Sequence, residues 1–136
     1  MSTGNIVING KLWISGGDYG SQLASTELVT EQSVMQSSDL PFAGAGHCSV
    51  FLDRTRIMTI GGYSGKYRDE TYIMDTTTSK WTPGPRLNKA RRYHACAKVK
   101  IGDKSFVVVT GGRGAYTSVE CLNITNMDQG WKNGKV

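Results

Sequence analysis

The sequence predicts an all-β fold built from three repeated units. Double glycines stand at positions 16/17, 61/62 and 111/112, and a tryptophan follows the second glycine by 19 positions twice, at Trp81 and Trp131. The glycine pairs lie 45 and 50 residues apart, a period that excludes most helical repeats. Because each unit of a repeat fold buries its apolar face only against its neighbours, we expect the function to lie on a surface that several units share.

Each glycine pair ends a run of β-branched or aromatic residues. Leu-Trp-Ile-Ser precedes the first pair, Ile-Met-Thr-Ile the second and Phe-Val-Val-Val-Thr the third. Such runs are typical of strands, and glycine at a strand end permits a tight turn with positive φ. No stretch shows the period of an amphipathic helix. Aligned on the glycines, the chain divides into 1–41, 42–85 and 86–136, each with room for four short strands.

The middle repeat resembles the kelch motif. After its double glycine come Glu70-Thr71-Tyr72-Ile73-Met74-Asp75, Lys80-Trp81, Gly84-Pro85-Arg86-Leu87 and Ala90-Arg91-Arg92-Tyr93-His94-Ala95. The resemblance is best across 47–112, good over 113–131 and weak in 1–41, where Gln36 stands at the tryptophan position. It implies an arc of a kelch-type β-propeller with three four-stranded antiparallel blades, the first degenerate and the third truncated at its C-terminal end.

Residues that recur at equivalent positions are expected to be structural. Trp81 and Trp131 suit packing between blades, because stacked sheets need one large ring per repeat at a fixed phase. Arg91 fills the arginine position of the kelch motif, three residues before His94, where the preceding repeat has Gly44. The predicted structural set is Gly16, Gly17, Gly61, Gly62, Gly111, Gly112, Trp81, Trp131, Arg91, His47 and His94.

The cysteines leave two interpretations open. Cys48 follows His47 by one residue and Cys96 follows His94 by two, so strand alternation puts the cysteines on opposite faces of equivalent strands. Opposite faces of two neighbouring blades border the same space between the blades, which allows a Cys48–Cys96 disulfide. Two buried free thiols are favoured, since stacked sheets normally lie about 10 Å apart. The same alternation keeps two histidines and two cysteines from converging, so no metal site is expected.

The net charge of +5 is unevenly spread along the chain. Residues 1–53 hold one Lys or Arg against five acids, and residues 54–136 hold fifteen against six. Nucleic-acid binding is disfavoured, because the basic residues alternate with apolar ones and no nucleic-acid motif accompanies them. The asymmetry instead suits head-to-tail pairing of two copies. Since propellers close with about four to eight blades, we expect three blades to be a fragment of a longer ring or half of a six-bladed homodimer.

Composition leaves the compartment open. A hydrophobic fraction of 38% with 20% charged residues is typical of a soluble globular protein, and no apolar run is long enough to span a bilayer, so no membrane role is expected. Cytoplasmic and secreted locations both remain open. A Cys48–Cys96 disulfide and the glycosylation sequon at Asn123 would favour secretion.

The predicted function is protein binding without catalysis or a cofactor. No acidic pair stands in phase with the histidines to assist hydrolysis. The kelch resemblance implies that the loop after each double glycine and the loop entering the next blade line one face, and tyrosine and arginine are typical interface hot spots. The candidate contacts are Asp18, Tyr19, Gln22, Tyr63, Ser64, Lys66, Tyr67, Arg68, Arg92, Tyr93, Arg113 and Tyr116.

Kelch resemblance allows more than one role. Kelch domains serve as substrate receptors of cullin-type ubiquitin ligases or as actin binders, although the ligase class needs BTB and BACK domains that this sequence lacks. The alternative is a secreted or glycan-binding propeller, as a piece of a galactose-oxidase-like enzyme. No galactose-oxidase arrangement of copper-binding tyrosine and histidine is recognisable in the sequence.

Overall fold

A computed structural model describes residues 4–8, 11–18, 21–37 and 39–134. Within these ranges the chain forms three antiparallel sheets of four strands each, with the strands of each sheet in chain order. Sheet 1 comprises β1 (Gly4–Ile8), β2 (Lys11–Asp18), β3 (Gln22–Val29) and β4 (Val34–Gln36). The all-β prediction is confirmed.

Sheets 2 and 3 repeat this up-and-down order. Sheet 2 comprises β5 (Cys48–Phe51), β6 (Arg56–Ile60), β7 (Thr71–Asp75) and β8 (Lys80–Pro83). Sheet 3 comprises β9 (Ala95–Ile101), β10 (Lys104–Thr110), β11 (Val119–Asn123) and β12 (Lys132–Asn133). A short 3-10 helix, Ile124–Gln129, lies between β11 and β12, a segment for which the sequence had suggested no helix.

The sheets stack in chain order. The first strand of each sheet contacts the first strand of the next, β1 against β5 and β5 against β9. Sheet 2 is therefore covered on both faces, which explains why successive residues of β6 are buried instead of alternating between buried and exposed. From Ile57 to Ile60, no residue of β6 is more than 1% exposed.

Two apolar cores fill the spaces between the sheets. The core between sheets 1 and 2 contains Trp13, Leu40, Ile57 and Met74. The larger core between sheets 2 and 3 contains Val50, Leu52, Met58, Ile60, Leu87, Val107, Val109, Leu122 and Trp131. Burying each such side chain contributes about 1.5–3 kcal/mol, so the stacking of the sheets carries much of the stability.

The two predicted packing tryptophans lie at different depths. Trp131 is buried among residues of sheets 2 and 3, and its indole N–H donates to the carbonyl of Pro85 at 2.9 Å. Trp81 is half-buried beside Trp13, with ring centroids 6.2 Å apart. Trp131 thus contributes both apolar area and a hydrogen bond, whereas Trp81 lies at the margin of its core.

The double glycines lie where one sheet crowds the next. Gly61 has φ +64°, and a Cβ placed on it would lie 2.8 Å from the carbonyl oxygen of Arg91 and 2.9 Å from the ring of His94. Gly16 stands in the same relation to His47, at 2.7 Å. The first glycine of these two pairs therefore makes room for the histidine of the following sheet, which explains why the two residue types recur together.

Both of these histidines are buried between sheets. The Nε2 of His47 lies 2.8 Å from the hydroxyl of Ser15, and the Nε2 of His94 lies 2.9 Å from the carbonyl oxygen of Ile60. Burial lowers the pKa of each histidine to about 4. The rings are neutral at physiological pH, and each fills the space between two sheets with one ring nitrogen hydrogen-bonded.

A disulfide joins Cys48 of β5 to Cys96 of β9, with their Cα atoms 6.2 Å apart. The structure thus has a disulfide in place of the two free thiols that the sequence had favoured. The expectation of a 10 Å gap holds for sheets stacked face to face. It fails here because β5 and β9 are the edges at which sheets 2 and 3 come together. Cys121 is buried as a free thiol.

No helix among the described residues is long and apolar enough to cross a membrane.

Candidate functional site

Three loops meet at the double-glycine ends of sheets 2 and 3. The loop after β6 carries Tyr63 and Tyr67, the segment before β9 carries Arg92 and Tyr93, and the loop after β10 carries Arg113. We call these five residues the tyrosine–arginine cluster. All five belong to the contact residues predicted from the sequence.

Backbone hydrogen bonds fix the loops of the cluster. Tyr63 and Ala45 exchange two bonds, at 2.8 and 3.1 Å, and Arg92 and Arg113 exchange another two, also at 2.8 and 3.1 Å. In each case a residue just after a double glycine pairs with a residue of the segment entering the sheet. Because these pairings are the same in both sheets, the side chains project from a fixed framework and not from free loops.

The guanidinium of Arg92 lies at the centre of the cluster. Its Cζ is 4.4 Å from the ring centroid of Tyr63, 4.9 Å from that of Tyr93 and 5.2 Å from that of Tyr67. The Cζ of Arg113 lies 5.7 Å from the Tyr93 ring. Each cation–π contact of this kind contributes about 0.5–1 kcal/mol at an exposed site. The contacts hold two cations and three rings together on one surface.

The cluster carries positive charge that no acid of the described residues pairs with. In the described part of the chain, neither Arg92 nor Arg113 forms an ion pair, whereas four other arginines do. The Nε of Arg92 is buried and has no hydrogen-bond partner among the described residues. Aromatic faces attract a cation but accept no strong hydrogen bond, so donor capacity remains for an incoming carboxylate or phosphate.

Tyr93 adopts a backbone conformation that is costly for a residue with a side chain. Its φ is +56°, and its amide donates to the carbonyl of Gly46 at 2.8 Å. Such conformations cost on the order of 1–3 kcal/mol and cluster at functional sites. Here the conformation leaves the Tyr93 ring 53% exposed beside both arginines.

Arg68 and Ser64, also predicted contacts, form an internal network beside the cluster. The Arg68 guanidinium donates to the Ser64 hydroxyl at 2.7 Å, lies 4.4 Å over the Phe42 ring and reaches Glu70 at 3.5 Å. Only 12% of the Arg68 side chain is exposed. We therefore leave both residues out of the cluster, because the terminal nitrogens of Arg68 already bind the Ser64 hydroxyl and the Glu70 carboxylate.

Among the described residues, the remaining predicted contacts form none of the cation–π contacts that define the cluster. Tyr116 is 75% exposed, and Lys66 is also exposed. Gln22 is half-buried in sheet 1, where it pairs with Asp18. The Asp18 side chain and Tyr19 lie outside the described residues.

Glu120 is a residue of the site region that sequence reasoning missed. Its carboxylate accepts from Arg91 at 2.6 Å, with both side chains fully buried, and from the backbone N–H of Asn88, also at 2.6 Å. Arg91 in turn donates to the carbonyl of Gly111 at 3.1 Å. The pair thus ties the segment before Arg92 to the loop before Arg113. No spacing rule relates two residues 29 positions apart. The one available signal was that a buried arginine needs an acidic partner.

The described residues contain no group of three or more His, Cys, Asp or Glu side chains that could hold a metal ion.

Comparison with known proteins identifies one segment. Residues 44–88, which contain sheet 2 and its entry segment, match the family model of the kelch motif. Kelch motifs are in general protein-interaction modules. No curated protein sequence shows significant similarity to the chain.

Proposed function

We propose that this chain, which carries a kelch motif at residues 44–88, is a protein-interaction module and binds its partner through the tyrosine–arginine cluster. One observation carries the proposal: the guanidinium of Arg92 stands among three tyrosine rings with no acidic partner among the described residues. Tyrosine and arginine supply a disproportionate share of binding energy in protein interfaces. A fixed backbone beneath them reduces the entropy lost on binding.

The charge of the cluster defines the chemistry of the partner. A carboxylate that reaches Arg92 and Arg113 would gain charge-assisted hydrogen bonds, while the faces of Tyr67 and Tyr93 would cover apolar atoms beside it. The partner we propose therefore presents an acidic side chain next to apolar residues. Basic partners are disfavoured, because they would bring like charge against both arginines.

A displayed library of random peptides tests this proposal. Peptides selected on the wild-type chain should be enriched in Asp and Glu, and the variants Arg92→Ala and Tyr93→Ala should each bind them about tenfold or more weakly. Thr78→Ala is the matched control, since Thr78 is exposed in the β7–β8 turn at the opposite end of sheet 2. Raised salt should weaken binding, because part of it is electrostatic.

Two results would refute the proposal. One is a selected set without acidic enrichment whose members bind wild type and Arg92→Ala equally well. The other is equal loss of binding in Thr78→Ala, which would place the contact elsewhere. Circular dichroism of each variant shows whether the fold is intact, so that loss of binding is not loss of structure.

The identity of the partner decides which kelch role applies. By resemblance, recognition of a ubiquitin-ligase substrate and binding of actin are the finer roles that we propose for comparison. Purified actin can be tested directly against wild type and Arg92→Ala, and a role in ligase recognition predicts a soluble partner with an acidic, exposed segment.

A further inference from the structure

We propose that a second copy of this chain covers the open face of sheet 1 with the open face of its own sheet 3, so that two copies associate head to tail. The proposal is independent of the tyrosine–arginine cluster, which lies at the double-glycine ends of the sheets and not on these faces.

The contact between sheets 1 and 2 shows what such an interface is made of. A row of four residues crosses sheet 2 in register, from Phe51 through Ile57 and Met74 to Trp81. These side chains pack toward sheet 1, in one core with Trp13. We call this the receiving row of sheet 2, because it receives the apolar face of the preceding sheet.

Sheet 1 has an equivalent receiving row, and neither apolar core of the described residues includes it. Val7, Leu12, Val29 and Val34 pair in register across its four strands. Leu12 stands four residues before its double glycine, as Ile57 does in sheet 2. Strand alternation puts this row on the face opposite Trp13, and Val7 and Val34 are 67% and 63% exposed. Such a row across a whole sheet is typical of a surface that another sheet covers.

Sheet 3 has the complementary open face. Val107 and Val109 are buried toward sheet 2, so Phe106 and Val108 of the same strand point away from it. Val108 stands three residues before its double glycine, as Met58 does in sheet 2, and Met58 is the side chain that packs toward the next sheet. Ala97, paired with Val108 on β9, is exposed on the same face.

The surroundings of the double glycine in sheet 3 also indicate that no following sheet packs against it in the described residues. Gly16 and Gly61 are each crowded by a histidine of the following sheet, with φ +63° and +64°. Gly111 has nearly the same φ, +66°, yet among the described residues beyond its chain neighbours the atom nearest to a Cβ placed on it is the carbonyl oxygen of Tyr116, at 3.6 Å. Sheet 3 is therefore built to receive a following sheet that the described chain does not supply.

Charge selects a head-to-tail arrangement of the two copies. Residues 1–53 carry one base and five acids, net −4, and residues 54–136 carry fifteen bases and six acids, net +9. On the open faces themselves, Glu27 is exposed on sheet 1, and Lys104 and Lys132 are exposed on sheet 3. Like faces repel and unlike faces attract, so sheet 1 of one copy meets sheet 3 of the other.

Two copies can use this interface twice. If sheet 3 of each copy covers sheet 1 of the other, no receiving row remains open and the assembly closes at two chains. Six sheets would then be stacked in one ring, which lies within the range of about four to eight at which propellers close.

Sedimentation equilibrium or light scattering of the 136-residue chain at micromolar concentration tests the proposal. The expected mass is twice the 14.8 kDa of one chain. Val34→Arg on sheet 1 and Ala97→Arg on sheet 3 should each raise the dissociation constant of the dimer about tenfold or more. Thr78→Arg adds the same charge at an exposed turn away from both faces and should leave the dimer unchanged.

A mixture of the two variants distinguishes head-to-tail pairing from other modes. Combining Val34→Arg with Ala97→Arg leaves one of the two interfaces intact, so mixed dimers should form at concentrations where either variant alone is monomeric. Val34→Thr, which keeps the side-chain shape, provides a milder variant should an arginine disturb folding. A folded wild-type monomer, open-ended larger assemblies, or a dimer that Ala97→Arg leaves intact would each overturn the proposal.

Discussion

Single residues in this protein are shaped by the neighbouring sheet more than by their own strand. Gly16, Gly61, His47, His94 and Tyr93 each contact a residue of the adjacent sheet or of its entry segment. His47 and His94 are neutral because they are wedged against the preceding sheet, where water cannot solvate an imidazolium. Two consequences of this crowding can be measured.

Stability should fall as the pH drops from about 6.5 toward 4. In the unfolded chain each histidine takes up a proton near its ordinary pKa of 6.5, whereas burial lowers the pKa of the folded residue to about 4. The unfolded state therefore binds more protons within this window, and each histidine removes on the order of 3 kcal/mol across it. Urea denaturation at pH 7.5, 6.0 and 4.5 measures the effect. His94→Gln should reduce the pH slope, and a slope that both single Gln variants leave unchanged would contradict the prediction.

Gly61→Ala should destabilise the chain far more than Gly102→Ala. Both glycines have φ +64°, so the conformational strain of an alanine is matched. Gly61 is crowded by Arg91 and His94, whereas Gly102 has no atom within 4 Å of the added Cβ. The excess for Gly61 is overpacking, about 1–3 kcal/mol. Chemical denaturation of both variants checks it, and equal losses would mean that φ alone requires glycine at position 61.

At the scale of elements, equivalent positions in sheets 2 and 3 are packed by different kinds of side-chain contact. Tyr72 and Glu120 pair with strand residues that stand two positions before their double glycines. In sheet 3, Glu120 binds Arg91, which stands three residues before His94. In sheet 2 the arginine position is Gly44, and Tyr72 instead stacks on Phe42, with centroids 5.8 Å apart. An aromatic pair thus replaces a buried ion pair.

Glu120→Gln should cost about 3–5 kcal/mol of stability, because it leaves the guanidinium of Arg91 buried without a counter-ion. Thermal and urea unfolding measure the loss. Asp128→Asn is the control, since Asp128 is exposed on the neighbouring 3-10 helix and should change stability by less than about 0.5 kcal/mol. Equal effects of the two substitutions would show that the Arg91–Glu120 pair adds nothing beyond surface charge.

For the whole molecule, stability resides in the contacts between sheets, and surfaces are divided by position. The tyrosine–arginine cluster occupies the double-glycine end of sheets 2 and 3, and the proposed contacts with a second copy occupy the flanks. Changes in one surface should therefore leave the other unaffected. The Cys48–Cys96 bond is the single disulfide between sheets in the described residues, which makes it a probe of how strongly two sheets depend on each other.

Reduction of this disulfide should destabilise the chain by about 4 kcal/mol, because it closes a loop of 48 residues whose entropy the unfolded chain regains. Urea denaturation with and without reductant measures the change. Cys96→Ser is the control, since reductant should have no further effect on that variant. Intact mass should rise by two hydrogens on reduction of wild type, and an unchanged mass would show that the two thiols are free.

The sequence by itself determined the strand-rich fold, the repeat and its landmarks, because these depend on local preferences and on residues that recur at fixed intervals. Glycine pairs at strand ends, β-branched runs and periodic tryptophans can all be recognised without knowing which residues pack against them. Tyr63, Arg92, Tyr93 and Arg113 could likewise be selected from the sequence, because tyrosine and arginine stand beside each repeat landmark.

Only the tertiary structure decided which of these residues come together. Arg68 and Arg92 look alike in the sequence, yet Arg68 binds Ser64 and lies over Phe42, while Arg92 lies among three tyrosine rings with no ion pair in the described residues. The partner of Arg91 lies 29 positions away at Glu120, and Cys48 approaches Cys96 only because β5 and β9 meet at the edges of their sheets. Distances between sheets depend on how whole sheets pack, and no local pattern encodes them.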